Sequence, residues 1–217
     1  MWNRTAGSSA CRDPGPPRSS LGPPEVSPED LSAWRKAERE RLIAARMAMP
    51  IDEHRAASET ILAALLDRFA PAGLPLLGGY WPFRREFDCL PYLREAVAHG
   101  AGAALPVVIA KGQPLEFRPW TPQTKMEAGV WNILHPAEGP PVEPGALIIP
   151  LVGFDVAGYR LGYGAGFYDR TLAAMSKTPL TIGVGFELNR MATIHPQAHD
   201  IPLDWIVTEA GIFRPRA

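Results

Sequence analysis

Three alternating glycines lie directly before a predicted helix in the stretch from Arg160 to Arg170, RLGYGAGFYDR. Glycine has no Cβ, so this spacing allows positive φ angles and lets backbone N–H groups come close to a ligand. The helix predicted from Tyr168 to Met175 would present unpaired N–H groups and the positive end of its dipole to that ligand, which favours phosphate. Asp169 adds a hard oxygen ligand of the kind that Mg²⁺ accepts on a nucleotide. The stretch predicts a site for a phosphate-bearing ligand, although an ordinary tight loop would also explain the glycines, and it matches neither a Walker A loop nor the dinucleotide fingerprint.

The composition indicates one soluble domain of ordinary size. The chain has 217 residues, of which 46% are hydrophobic and 21% charged, and this is enough to bury a full core. Its formal charge of −1 gives no basic excess for a nucleic-acid partner. No apolar run approaches the roughly 20 residues that span a bilayer. With only two cysteines, Cys11 and Cys89, a disulfide framework is not indicated. We therefore expect a cytoplasmic monomer without nucleic-acid or membrane partners.

Residues 1–26 are rich in Pro, Gly, Ser and Arg and show no hydrophobic periodicity. This composition predicts a disordered N-terminal extension. Arginines and serines with few acids also suit an organelle transit peptide, but the prolines would break the amphipathic helix that such a peptide forms. Order is predicted to begin at Ser27 and Pro28, which form a typical helix start, so residues 27–217 make up a single domain.

The alternation of helical and strand patterns predicts the fold class. Strands that alternate with helices form a mostly parallel sheet covered on both faces, so we expect an α/β three-layer sandwich with a mostly parallel sheet, Rossmann-like in architecture. Ligands of such sheets bind at the carboxyl ends of the strands, where the loop from Trp81 to Asp88 is predicted to lie. The expected helices span 27–49, 52–69, 89–99 and 168–175, and the expected strands span 76–81, 104–109, 115–120, 146–150, 181–186 and 205–208.

Three further features have more than one interpretation. The first predicted helix carries a basic face, which is usually a solvated surface: Arg35, Lys36, Arg39, Arg41 and Arg46. His195 and His199 have the spacing of zinc ligands on a helix, but Pro196 opposes a helix at this point. Residues 121–144 are predicted to form a long ordered loop, anchored by the apolar cluster at 131–133.

The glycine-rich stretch and the segment before it resemble a known family. The pattern Arg-Leu-Gly-x-Gly-x-Gly-Phe-Tyr-Asp begins at Arg160 and follows an apolar strand and a Pro-x-x-x-Phe-Asp turn, from Pro150 to Asp155. Together they closely resemble the signature of the 5-formyltetrahydrofolate cyclo-ligases, also called methenyltetrahydrofolate synthetases. The resemblance runs from about Trp34 to Thr208. It implies an enzyme that uses ATP and Mg²⁺ to convert 5-formyltetrahydrofolate to 5,10-methenyltetrahydrofolate, with release of ADP and phosphate.

The resemblance also implies roles for individual residues. Catalysis would involve Arg160, Tyr168 and Asp169, and Mg²⁺ would be held by Asp169 and Asp200. The folate would contact Trp81, Glu86, Tyr163, Gly164, Gly166 and Phe167. The ATP site would comprise Arg35, Lys36 and Arg39 of the first helix together with Arg160, Leu161, Gly162, Tyr163, Gly164, Ala165, Gly166, Phe167 and Tyr168. A carboxylate can pair with the donor edge of a pterin ring, and a tryptophan can stack on its face.

Three positions depart from the family pattern. Ala165 is uncharged where members with a lysine use it on phosphate, Phe167 lacks a hydroxyl, and Asn189 replaces a longer glutamine. Lys125 or Arg118 would then be a substitute cation. Two alternatives to the cyclo-ligase follow from these departures. One is a paralogue that binds folate or nucleotide without turnover, and the other is a similar enzyme that acts on a different formylated substrate.

Overall fold

The computed structural model describes residues 28–70 and 76–215, so the N-terminal extension predicted at 1–26 lies outside the described residues. The helices are α1 (Pro28–Ala48), α2 (Ile51–Arg68), α3 (Leu90–Ala98) and α4 (Phe167–Ala174). The strands are β1 (Leu76–Gly78), β2 (Gly102–Val107), β3 (Glu116–Pro119), β4 (Met126–Ala128), β5 (Leu134–Pro136), β6 (Ala146–Pro150), β7 (Gly153–Phe154), β8 (Arg160–Leu161), β9 (Leu180–Val184), β10 (Trp205–Thr208) and β11 (Gly211–Phe213). Among the described helices, none is long and apolar enough to cross a membrane.

Seven strands form the main sheet in the order β11-β10-β9-β6-β1-β2-β3. The five central strands are parallel to one another, and the two edge strands, β3 and β11, run antiparallel to β2 and β10. In the centre, Ile148 of β6 is in register with Ile182 of β9. The prediction of a mostly parallel α/β sheet is therefore confirmed.

The side chains of β6 show how this sheet becomes the middle of three layers. Successive residues of a strand point to opposite faces, and all three central residues of β6 are fully buried. Ile148 packs in the cluster formed with α2 and α3, whereas Leu147 and Ile149 pack in the cluster that includes Leu172 of α4. A fully buried side chain of this size contributes about 1.5–3 kcal/mol, so a strand that is apolar on both faces is stable only between two helical layers.

A crevice forms where the strand order reverses. From β1 the chain continues to β2 on one side, and it later enters β6 on the other side of β1. The connections that leave β1 and β6 therefore diverge, and an α/β sheet binds its ligands at such a point. Helix α1 packs close to the end of β6, because its Leu42 packs with Val152, Leu161 and Ile194.

The structure corrects the predictions for two segments. Residues 121–144 are not one long loop, because β4 and β5 form a hairpin around a 3-10 turn at Val130–Asn132. Trp131 in that turn has a positive φ of 56° and is 52% exposed, so it does not anchor the segment in the core. Strand β11 was not predicted, since three residues are too few to show a strand pattern.

Candidate active site

One cleft at the carboxyl ends of β1, β2 and β6 collects the predicted site residues. Every one of them except Lys36 lines it: Arg35, Arg39, Trp81, Glu86, Arg160, Leu161, Gly162, Tyr163, Gly164, Ala165, Gly166, Phe167, Tyr168, Asp169 and Asp200. Lys36 is exposed on α1, and the structure does not bring it to the cleft. Residues that are 165 positions apart in sequence therefore meet at one surface, as Arg35 and Asp200 do.

Two of the three glycines need the conformational freedom of glycine. Gly164 has a φ of +92° and Gly166, the N-cap of α4, has a φ of +62°. A Cβ on Gly164 would lie 3.2 Å from Cζ of Arg39, and a Cβ on Gly166 would lie 3.0 Å from Nη1 of Arg170. Side chains here would therefore strain the backbone and crowd two arginines. Gly162 has no such neighbour within 4 Å.

The guanidinium of Arg39 lies against the glycine-rich loop, as does that of Arg170, which donates to the carbonyl of Ala165. Arg39 packs on Gly164 and lines the cleft, yet within the described residues no hydrogen bond uses it, and its Nε is buried without a partner. Burial lowers the pKa of Arg39, and the positive charge of Arg35 lowers it further. A guanidinium with free donors beside a glycine-rich loop is suited to an anionic ligand.

The cations expected to substitute for the alanine at 165 lie elsewhere. Arg118 donates to Glu116 at 2.9 Å and to the carbonyls of Pro136 and Ala137, so its donors are used within the β3–β5 region. Lys125 is exposed and lies 3.8 Å from Glu138. Neither lines the cleft, so the prediction that one of them supplies a phosphate cation is not supported.

Each of the two predicted metal carboxylates is paired with an arginine. Arg160 Nη2 donates to Asp169 Oδ1 at 2.9 Å, and Arg35 Nη2 donates to Asp200 Oδ2 at 2.6 Å. Backbone N–H groups of Ile201 and Gln197 donate to the same two oxygens. Burial alone would raise the pKa of Asp200, but the hydrogen bonds from Arg35 and Gln197 outweigh it, and the pKa lies below its ordinary value.

The two carboxylates fit a divalent cation that is shared with a ligand. Within the described residues, no hydrogen bond uses Asp169 Oδ2 or Asp200 Oδ1, although His199 Nε2 lies 3.8 Å from the latter, so each carboxylate retains one oxygen outside these hydrogen bonds. Mg²⁺ is usually held by one or two carboxylates together with substrate phosphates. The described part of the chain contains no group of three or more His, Cys, Asp or Glu side chains that could hold a metal ion.

Glu86 forms a second polar centre in the lining of the cleft. Only 5% of the residue is exposed, although it lines the cleft. Its Oε2 accepts the N–H of Phe83 at 2.9 Å, and its Oε1 accepts the hydroxyl of Tyr163 at 2.9 Å. Burial raises the pKa of Glu86, and the charge of Arg46 and these two hydrogen bonds oppose that rise.

Aromatic rings surround this second centre. Tyr163 lies 5.9 Å from Phe83 and 6.2 Å from Trp131, measured between ring centroids, and Trp81 lines the same cleft. Trp131 and Phe83 were not predicted as site residues. Their only sequence signal is an aromatic residue in a loop, which is insufficient because most such residues have no functional role.

Tyr168 and Asn189 complete the set of predicted positions. Tyr168 lines the cleft, and its hydroxyl is buried without a hydrogen-bond partner in the described part of the chain. Asn189 is fully buried away from the cleft lining and donates to the carbonyl of Leu42 at 3.3 Å. The shorter amide at 189 therefore packs against α1 and does not line the cleft.

The sequence profile of the 5-formyltetrahydrofolate cyclo-ligase family matches residues 31–209. The chain belongs to this family. Among curated relatives, the 5-formyltetrahydrofolate cyclo-ligase of Escherichia coli is 31% identical over 140 residues, which cover 60% of this chain and 76% of that protein. The Haemophilus influenzae enzyme of the same name is 34% identical over 97 residues, which cover 41% of this chain and about half (49%) of the relative's length.

Solved structures of the family share this fold. The chain resembles the NMR structure of Aquifex aeolicus 5,10-methenyltetrahydrofolate synthetase with a TM-score of 0.73 and 27% identity, over 84% of this chain and 93% of that one. It also resembles the synthetase of Mycoplasma pneumoniae with a TM-score of 0.67, over 81% of this chain and 98% of that one, and at 23% identity this likeness concerns the fold alone.

Proposed function

We propose that this chain is an ATP- and Mg²⁺-dependent 5-formyltetrahydrofolate cyclo-ligase, which forms 5,10-methenyltetrahydrofolate, ADP and phosphate. The observation that carries the proposal is that two chemically different groups of residues line one cleft, described here as its aromatic end and its glycine-rich end. One end has aromatic rings around the Glu86 carboxylate, and the other has a glycine-rich loop, Arg39 and two arginine–aspartate pairs. A reaction between a flat heterocycle and a nucleotide needs both ends in contact with one volume.

The aromatic end is suited to the pterin ring of the folate. A pterin is flat and apolar on its faces and carries N–H donors along one edge. Tyr163, Phe83 and Trp131 supply ring faces and edges, and the Glu86 carboxylate supplies acceptors for the donors.

The glycine-rich end is suited to the phosphates of ATP. Gly164, Gly166 and the first turn of α4 present backbone N–H groups, and Arg39 supplies a cation with unused donors. Mg²⁺, when bound, would neutralise charge on the phosphates, and Asp169 and Asp200 are the residues that would hold it. Arg35 and Arg160 fix the positions of these two carboxylates.

The reaction proposed for this cleft has two chemical steps. The formyl oxygen at N5 of the folate attacks the γ-phosphorus, and ADP leaves with the electrons of the broken P–O bond. N10 then attacks the formyl carbon, the phosphorylated oxygen leaves as phosphate, and N10 loses its proton. The protein's contribution is alignment and charge stabilisation, because the reacting groups all belong to the two substrates.

The structure supports this proposal over a binding protein without turnover. That alternative arises from Ala165 and Asn189, but Arg39 already places a cation on the loop that contains Ala165, and Asn189 packs against α1. A cytoplasmic monomer remains our expectation from the sequence.

The test is a rise in absorbance of the methenyl product when purified protein is mixed with 5-formyltetrahydrofolate, ATP and Mg²⁺. We expect a rise that requires ATP and is lost in Asp169→Asn. If absorbance does not rise but the protein still binds folate, the non-catalytic alternative is favoured. If the protein turns over only other formylated compounds with ATP, the alternative of a similar enzyme with a different formylated substrate is favoured.

A further inference from the structure

Arg46 is a buried arginine behind the folate end of the cleft, and it is outside the cleft lining. It is 1% exposed. Its Nε donates to the carbonyl of Arg84 at 3.0 Å, and its Nη1 donates to the carbonyl of Leu151 at 3.1 Å. Its Nη2 donates to the hydroxyl of Tyr163 at 2.9 Å and lies 3.9 Å from Glu86 Oε1. The side chain therefore joins α1 to the loop before Glu86, to the end of β6 and to the glycine-rich loop.

The chemistry of these groups fixes the direction of the hydrogen bonds. A guanidinium only donates, so the Tyr163 oxygen must accept from Arg46. The single proton of the Tyr163 hydroxyl is then available to Glu86 Oε1, 2.9 Å away. Oε2 of Glu86 accepts the Phe83 N–H at 2.9 Å. Both oxygens of Glu86 are thus acceptors, which is the arrangement of an ionised carboxylate.

We propose that Arg46 is a positioning residue that holds Tyr163 and Glu86 as a fixed acceptor pair for substrates with an N–H donor edge. This inference rests on the proposed function of the cleft. Arg46 acts through the two residues and touches no substrate. With Tyr163 and Glu86 held as acceptors, the site binds a ring edge that carries N–H donors. A ring edge with acceptors only is disfavoured, because buried acceptors of the ligand and the protein would then face each other.

The electrostatics around Glu86 support this role. Burial raises the pKa of Glu86, and the largest opposing effect is the charge of Arg46. Among the groups that act on Glu86 in the described part of the chain, Arg46 is the cation, and the others are the N–H of Phe83 and the hydroxyl of Tyr163. The charge of Glu86 in turn raises the pKa of three phenols and a thiol close to it: Tyr80, Tyr163, Tyr168 and Cys89. Removal of the arginine charge would therefore leave the carboxylate buried without a counter-charge, and Glu86 would hold its proton to higher pH.

The test compares Arg46→Gln with Arg46→Lys, in which only the lysine keeps the charge. KM for 5-formyltetrahydrofolate, KM for ATP and kcat are measured across pH, with thermal unfolding as a check on folding. In the wild type we expect the folate KM to rise as pH falls through the pKa of Glu86. In Arg46→Gln this rise in the folate KM should occur about 1 pH unit higher. At a pH within the rising part of the curve, the folate KM of the variant should therefore be about tenfold above that of the wild type, while the KM for ATP stays the same. Arg46→Lys should lie between the two.

The inference would be overturned if the folate KM rose at the same pH in wild type and Arg46→Gln. Equal increases in the KM values for folate and ATP would also overturn it. Should Arg46→Gln not fold, NMR titration of carboxyl-labelled glutamate in wild type and Arg46→Lys tests the same claim, with Glu86→Gln identifying the resonance. We expect a higher midpoint for Glu86 in the lysine variant, and identical midpoints would overturn the inference. Failure of the wild type to bind folate would instead overturn the proposed function and this inference with it.

Discussion

Arg35 donates to Asp200 Oδ2 across 2.6 Å, and the two side chains are only 10% and 9% exposed. The same guanidinium also donates to the carbonyl of His195 at 2.7 Å. A helix near the start of the described chain thereby fixes a loop near its end. Since Arg160 pairs with Asp169 in the same way, both carboxylates proposed for Mg²⁺ are held in place before any ligand contact is considered.

The Arg35–Asp200 pair predicts a pH-dependent loss of stability in acid. The pKa of Asp200 is lowered in the folded state, so the unfolded state binds more protons as pH falls. The contribution of the carboxylate is fully present above its unfolded pKa of about 3.9 and is lost as pH falls through the lower folded value. The difference in free energy of unfolding between wild type and Asp200→Asn should therefore shrink below pH ~4 in urea titrations.

The exposed pair Arg55–Asp52, also 2.6 Å apart, provides the control, and Asp52→Asn should show almost no such change. A constant difference at all pH values for Asp200→Asn would contradict this account.

Arg39→Met should reduce turnover through the phosphate end of the cleft. Loss of a positioned cation costs about 2–4 kcal/mol of transition-state stabilisation, or roughly 30- to 1,000-fold in kcat/KM for ATP. Arg41 lies on the same helix, is exposed and pairs with Glu38 at 2.7 Å. Steady-state kinetics of Arg41→Met should match those of the wild type. Similar losses in both variants would mean that the helix matters only through its general charge.

Gly164→Ala should impair both folding and ATP binding. Its φ of +92° disfavours any side chain, and the new Cβ would lie 3.2 Å from Cζ of Arg39. The backbone strain costs about 1–2 kcal/mol. Gly100 has a similar φ of +82° with no atom within 4 Å of a new Cβ, so Gly100→Ala should lose comparable stability and retain the wild-type KM for ATP. Melting temperatures and the KM for ATP are measured for both variants. Equal losses of stability report backbone strain, and an increase in the KM for ATP in Gly164→Ala alone reports crowding of Arg39.

Trp131→Ala should weaken folate binding without a large effect on stability. Trp131 is 52% exposed and lines the cleft beside Tyr163, so its removal leaves no core cavity. We expect the folate KM to rise roughly 2- to 13-fold, since an aromatic contact of this kind is worth about 0.5–1.5 kcal/mol beyond its buried area. Ile51 is 77% exposed at the start of α2 and serves as the control. An unchanged folate KM in Trp131→Ala, measured beside Ile51→Ala, would remove the tryptophan from the site.

The sequence predicted most of the fold because its signals are local. Ser27 and Pro28 predict a helix start, and α1 begins at Pro28. The apolar run from Ala146 to Pro150 predicts β6 with the bounds that the structure has. The hairpin β4–β5 was missed because its three-residue strands carry no periodicity, and its two strands pair only with each other in the described sheets.

The sequence predicted the site less completely, because contacts between distant segments decide it. Arg46 is one of several basic residues at helical spacing on α1, and nothing local distinguishes it from the exposed Arg41. It is buried because the carbonyls of Arg84 and Leu151 and the hydroxyl of Tyr163 accept its donors, and these lie 38 to 117 positions away. Arg39 likewise depends on the distant Gly164, which it packs against.

The most direct test of the central claim is the fate of the formyl oxygen. The two ends of the cleft are proposed to bring this oxygen to the γ-phosphorus of ATP. The protein is incubated with ATP, Mg²⁺ and 5-formyltetrahydrofolate that carries a heavy-oxygen label in the formyl group, and the released phosphate is analysed by mass spectrometry. We predict that the label appears in the phosphate in a one-to-one ratio to the methenyl product. Unlabelled phosphate, or phosphate released without the methenyl product, would contradict the account.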